Sequence, residues 1–352
     1  MKKFFLIAVC VVCNILCSRA GVVEVDTTVD GGEIPVTVWS QGGIDYMVID
    51  SDLHEVAVID LMDKVFDKWG YIDPVTIPSK VIHDGVEYSV VSVGRDTFNT
   101  STQVNLPNSI VVIEPYCFNS LGYDTSYIVT FNFPEDLTSV GNDCFNHTRL
   151  TEMKLPSHLK SIGDNCFNEN ESMATLEFGL NVRSIGANSF NGNSLLKQIL
   201  LPGSLYYIGQ DSFCDCETLE YVRLPRFLPF EQGAGVSTLK LFNNCPNIKV
   251  IEWESKTPFS PVNSFDSVNK GNCTVIVPDG CKETYEKSDY WRQFNIVEKS
   301  QYQASSPQIE LPADEKEAYF TLDGFQISRP LHIEKGQVYV KVSPKGTQKF
   351  VK

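Results

Sequence analysis

Val140-Gly141-Asn142-Asp143-Cys144-Phe145 returns as Ile162-Gly163-Asp164-Asn165-Cys166-Phe167, as Ile185-Gly186-Ala187-Asn188-Ser189-Phe190 and as Ile208-Gly209-Gln210-Asp211-Ser212-Phe213. The four phenylalanines are spaced 22 (167−145), 23 (190−167) and 23 (213−190) residues apart. Two looser copies lie upstream, Val93-Gly94-Arg95-Asp96-Thr97-Phe98 and Ile113-Glu114-Pro115-Tyr116-Cys117-Phe118. A fixed period of this length predicts a solenoid, in which no unit can bury its apolar face alone and stacked units share one core.

Ahead of each block stands an apolar pair split by one residue, usually followed by Pro: Val104-Asn105-Leu106-Pro107, Phe131-Asn132-Phe133-Pro134, Met153-Lys154-Leu155-Pro156, Leu176-Glu177-Phe178-Gly179, Ile199-Leu200-Leu201-Pro202 and Val222-Arg223-Leu224-Pro225. Period-two alternation marks a short strand with one inward face. Proline then stops it, because it cannot donate to a ladder. The Val/Ile-Gly pair is a second extended piece, its Gly serving a turn or a close backbone approach. Phe98, Phe118, Phe145, Phe167, Phe190 and Phe213 are the expected core ladder. The fold class expected is a mainly β repeat solenoid with short turns and helical segments.

This pattern resembles the BspA-like leucine-rich repeats of bacterial, especially Bacteroides-type, cell surfaces, over roughly residues 75–298. The family usually has Ala before the Phe, whereas Cys117, Cys144, Cys166, Ser189 and Ser212 stand there in this chain, all small. Cys216 and Cys245 fall three residues after Phe213 and Phe242, where the family often carries Cys. The resemblance implies an adhesin or surface binding protein.

Around the repeats, residues 1–20 have the form of a secretory signal: Lys2 and Lys3, an apolar run from Phe4 to Leu16, and Ser18-Arg19-Ala20 as a cleavage site. The alternative is lipidation at Cys17, although Ile15-Leu16 makes a poor lipobox. Export places the chain at the cell surface, in the periplasm or outside the cell. Residues 21–74 do not keep the repeat and are expected as a β-rich N-terminal cap, with 75–298 as the solenoid and its terminal unit. In that unit Asp279 is expected to cap a short helix packed by Tyr285, Trp291 and Phe294. Residues 299–316 are expected as a linker and 317–352 as a small C-terminal β segment, either a sorting tail or a plain appendage.

The chain has 29 Lys and Arg against 44 Asp and Glu, a net charge of −15. Removing the signal takes away Lys2, Lys3 and Arg19 and leaves −18. That balance argues against phosphate-backbone binding to nucleic acid. No segment beyond the signal is apolar and long enough to span a membrane. No phosphate loop, zinc-protease motif or nucleophile elbow occurs, and His54, His83, His147, His158 and His332 are scattered, with His147 and His158 expected in solvated turns. No catalytic, cofactor or metal site is expected. The eight cysteines past residue 20 permit disulfides, with 214 or 216 to 245 and 273 to 281 as pairings, yet Cys117, Cys144 and Cys166 share one repeat position and form a small-residue ladder.

Partner contact is expected on the outward strand residues, Gln103 and Asn105 in the first coils and Gln198, Leu200, Tyr221 and Arg223 in the last. The 29-residue step from Phe213 to Phe242 holds the insertion Arg226–Gly235. Its Phe227 and Phe230 either meet a partner or plug a gap between coils. Leu200, Tyr221, Arg223, Phe227 and Phe230 are therefore the candidate contact residues for an extracellular or surface protein or glycan. A scaffold role in a surface complex is the alternative, and a hydrolase with a site in the cap a third.

Overall fold

A computed structural model describes residues 25–29, 32–61, 75–95, 97–98, 104–118, 131–226, 240–258, 264–305, 318–321, 326–327, 338–343 and 346–351. The chain forms two compact units, Met1–Lys299 and Ser300–Lys352. The first is a mainly β repeat solenoid, the fold class expected from the sequence.

Each coil contributes to two parallel sheets. The Val/Ile-Gly pieces form one: Val86–Val93, Val112–Ile113, Ser139–Val140, Ser161–Ile162, Ser184–Ile185 and Tyr207–Ile208 pair in that order, in register. The apolar-pair strands form the other, best developed over Gln198–Leu200, Tyr221–Leu224, Val250–Trp253, Thr274–Val277 and Asn295–Glu298. Between the sheets the phenylalanine rings stack from Phe98 through Phe118, Phe145, Phe167, Phe190, Phe213 and Phe242 to Phe265, with centroids 4.8–5.5 Å apart and planes within 18°. Trp291 closes the stack at 6.2 Å from Phe265. Phe265 follows Phe242 by 23 residues (265−242) and again has a buried Ser, Ser264, before it, so spacing alone marks it as one more copy.

The glycines serve close approach rather than a turn. A Cβ on Gly141, Gly163, Gly186 or Gly209 would lie 2.3–2.5 Å from backbone of the preceding coil. The turn is made instead by the residue two before the Phe: Tyr116, Asp143, Asn165, Asn188 and Asp211 have φ of 50–65°. Four of the five are Asn or Asp, the non-glycine residues that tolerate this left-handed region best. A polar spine then ties each coil to the one before. Asn170 Nδ2 donates to Phe145 O (2.8 Å) and Asn193 Nδ2 to Phe167 O (3.0 Å). Cys216 and Cys245 occupy the same position in later coils, their thiols donating to Phe190 O (3.5 Å) and Phe213 O (3.2 Å).

At the N-terminal end, Glu55–Leu61 pairs parallel with Val86–Val93 and so stands in for a repeat strand. Antiparallel Ile44–Asp50 and Val38–Gln41 extend the sheet from there. Gly94 N donates to Val58 O at 2.6 Å, fastening the first coil to this cover. The first coil also carries a hairpin, Lys80–His83 with Val86–Val93, that the repeat does not announce. Its sign is Asp84-Gly85, whose φ values of 50° and 80° fit the two-residue turn of a twisted hairpin.

At the other end the short helix runs Lys282–Glu286, and Cys281 rather than Asp279 holds the N-cap position, with no side-chain bond. Glu298 Oε1 instead accepts from the N–H groups of Gly280 (2.9 Å) and Lys282 (3.4 Å). Tyr285, Trp291 and Phe294 are buried there. The stretch expected as a linker begins with a helix, Lys299–Ser305. The second unit contains a four-stranded antiparallel sheet in the order Gln326–Ile327, Ala318–Thr321, Val338–Ser343, Gly346–Val351. The signal region, including Cys17, lies outside the described residues.

Candidate partner-binding face

The five-stranded sheet sorts its residues by alternation. Ile199, Val222, Ile251, Val275 and Ile296 are buried in the core. One outward row runs Gln198, Tyr221, Val250, Thr274, Asn295 and a second Leu200, Arg223, Glu252, Ile276, Val297. Three of the candidate contact residues, Leu200, Tyr221 and Arg223, therefore share one face on two adjacent strands, and all three are half-buried. Phe227 and Phe230 lie outside the described residues. The chain enters their insertion through buried Pro225, whose carbonyl accepts from Trp253 Nε1 at 3.1 Å, and exposed Arg226.

Glu252 is the residue that the alternation did not single out. It faces outward yet is only 4% exposed. Tyr221 OH donates to its Oε2, and Lys299 Nζ lies 2.8 Å from its Oε1 in ion-pair contact. A buried carboxylate needs such partners, since losing Lys299 would leave an uncompensated charge and losing the tyrosine hydroxyl an unsatisfied oxygen. The Tyr221 hydroxyl is thus engaged within the fold, and its ring is what the face offers. The pairing spans 47 residues (299−252) and leaves no local sign in the sequence. Beside it opens a cleft of about 230 Å³, lined by Glu252, Trp253, Ile276, Pro278 and Lys299 among others.

Residues 122–234 match the family described as BspA type Leucine rich repeat region, in six copies. Over that stretch the solenoid is built of BspA-type leucine-rich repeats. No curated protein sequence matches the chain significantly. Among solved structures, the pneumococcal vaccine antigen PcpA is 15% identical over 74% of this chain and 98% of its own, with a TM-score of 0.42. A T. pallidum leucine-rich repeat protein is 20% identical over 72% and 96%, with a TM-score of 0.39. One from Bacteroides ovatus is 17% identical over 74% and 90%, with a TM-score of 0.37.

Along the stack the residue before the Phe is buried and bonds the coil backbone: Ser189 Oγ donates to Gly163 O (2.7 Å) and Ser212 Oγ to Gly186 O (3.0 Å). Cys117 and Cys144 do the same toward Gly94 O and Glu114 O. Burial pushes the thiols of Cys117 and Cys166 well up, and that of Cys273 to about 12. All eight described cysteines are buried free thiols. Side chains in register on parallel coils hold their Cβ atoms about 4.8 Å apart, outside the roughly 3.5–4.5 Å that a disulfide requires.

Of the described histidines, His54 and His83 border one aromatic cluster through Tyr88 and Trp39. His147 is half-buried in a left-handed turn with Nδ1 3.0 Å from Glu169 Oε2, so it is less solvated than expected, and exposed His158 meets Glu135 O at 3.0 Å. His83 stacks on Trp39 at 4.3 Å, and His332 lies outside the described residues. Among the described residues no group of three or more His, Cys, Asp and Glu side chains could hold a metal ion. No helix among them is long and apolar enough to cross a membrane.

Proposed function

We propose that this protein is an exported, non-catalytic binding module that presents the outward face of its last coils to an extracellular or cell-surface protein or glycan. The observation that carries the reading is the pair of outward rows where Leu200, Arg223 and Tyr221 meet. They set an apolar side chain, a guanidinium and the Tyr221 ring on a rigid sheet, next to a cleft and to the base of the longest insertion. Tyr and Arg are enriched among the residues that dominate interface energies, and an apolar patch with a polar rim is how such interfaces are built. The rigid scaffold lowers the cost of ordering these side chains on binding. Their chemistry suits a protein partner better than a glycan.

The test is a binding screen of the whole exported chain against extracellular-matrix proteins, mucin and a glycan array. A Leu200→Asn/Arg223→Gln variant runs alongside. Gln is chosen because Arg223 faces Glu252 in register, where a second acid would repel the first. The expected result is at least one ligand whose affinity falls by about tenfold or more in the folded variant. Full retention of every ligand by the variant would move the contact elsewhere, and the absence of any ligand would favour the scaffold reading.

A further inference from the structure

The other sheet has an outer row of a different character. Thr138, Lys160, Arg183 and Tyr206 succeed one another on four adjacent coils, bonded backbone to backbone: Lys160 N to Thr138 O (2.9 Å), Arg183 N to Lys160 O (2.8 Å) and Tyr206 N to Arg183 O (2.9 Å). Beside them runs a second row of Ser139, Ser161, Ser184 and Tyr207, in register, with Ser161 Oγ donating to Ser139 Oγ at 3.0 Å. Tyr206 is 64% and Tyr207 40% exposed, two large rings left in solvent side by side. Lys160 and Arg183 are exposed and make no ion pair with a described residue. Lys80, Lys154, Lys249, Lys282 and Lys287 each lie within 4.0 Å of an acid. A chain of net charge −15 thus leaves two neighbouring cations on one strip without an acid partner among the described residues.

We propose that this strip, Lys160 and Arg183 with Tyr206, Tyr207, Ser161 and Ser184, is a binding surface for an acidic polysaccharide laid along the solenoid axis. Two coil steps of about 4.8 Å carry Lys160 to Tyr206, close to the length of a disaccharide. The guanidinium takes a carboxylate or sulfate through two parallel N–H donors, and the ammonium adds a second positive charge one coil away. An exposed tyrosine ring offers a rigid apolar face to a pyranose with little entropy to lose. The serine hydroxyls line the path with donors and acceptors at a regular step. The backbone groups of the row already bond from coil to coil, so recognition falls to side chains. An acidic peptide would gain charge contact there and little else. The surface is separate from the Leu200–Arg223 face, and either can fail without the other.

The experiment passes the whole exported chain over immobilised heparin, polygalacturonate, neutral dextran and poly-glutamate. Lys160→Gln/Arg183→Gln and Tyr206→Ser/Tyr207→Ser variants follow, each checked for an unchanged melting temperature. Retention by one or both acidic polysaccharides is expected at about 50 mM salt, weakening toward about 200 mM, with affinity reduced about tenfold or more in each variant. Retention by heparin alone assigns the anion as sulfate; retention by both admits a carboxylate. Passage through both acidic columns, retention unchanged in the variants, or retention by poly-glutamate as strong as by the polysaccharides would overturn the proposal.

Discussion

The coils between Phe145 and Phe213 and those between Tyr221 and Glu298 share one plan and finish it differently. In the first group the apolar-pair strands Glu152–Lys154 and Thr175–Glu177 are three residues long, and their outward residues are exposed. In the second, Val250–Trp253, Thr274–Val277 and Asn295–Glu298 have four residues each, and outward Glu252 and Ile276 are 4% and 3% exposed. The regular coils put their stability into the interior ladders and the Asn spine, and their outer rows stay exposed to solvent, with Lys154 and Glu177 paired at 3.9 Å. The later coils close part of their outer row around a paired acid, which shapes a cleft and a rim. The regular part thus holds the stack together, and the departures from it create a surface with individual features.

The largest break in the regular part is expected from Phe167→Ala. The ring lies 5.3 Å from both Phe145 and Phe190 and is fully buried, so the cavity interrupts the stack in mid-column. A loss of about 3–5 kcal/mol is expected, read from denaturant unfolding of the whole chain. A change of under about 1 kcal/mol would mean that the ladder does not carry the core.

Glycine comes next, and it sharpens the comparison because two glycines of one coil differ. A Cβ on Gly186 would meet backbone of the preceding coil at 2.5 Å, while one on Gly203 meets nothing within 4 Å. Gly186→Ala is expected to destabilise by about 1–3 kcal/mol. Gly203→Ala is expected to be neutral or to stabilise by up to about 1 kcal/mol, through the unfolded chain. Equal effects in a paired thermal melt would show that the Val/Ile-Gly pieces do not approach as closely as the structure has them.

Much of the frame was legible because it repeats: a period of 22–23 residues, an alternating pair and a fixed Gly suffice to imply stacked β coils. The hairpin at Asp84-Gly85 and the eighth ring, Phe265, carried local signs that the repeat pattern overshadowed. The role of Asn and Asp two residues before Phe145, Phe167, Phe190 and Phe213 was likewise written in residue type, since these residues accept the left-handed turn. The Glu252 cluster was not legible. Nothing near Tyr221 or Glu252 announces Lys299, because contacts between distant coils depend on how the stack ends rather than on any one repeat. For the same reason the sequence proposes Tyr221 as a free contact, whereas its hydroxyl is already bonded to Glu252.

The smallest expected change tests the central division most directly, by thermal unfolding of Leu200→Asn/Arg223→Gln beside Phe167→Ala. The account predicts that the outer-row variant melts within about 2 °C of the unaltered protein, as surface substitutions do. Phe167→Ala, by contrast, melts well below both. A fall in the outer-row variant comparable to that of Phe167→Ala would contradict the account, because Leu200 and Arg223 would then belong to the packing that holds the coils together and not to a surface open to a partner.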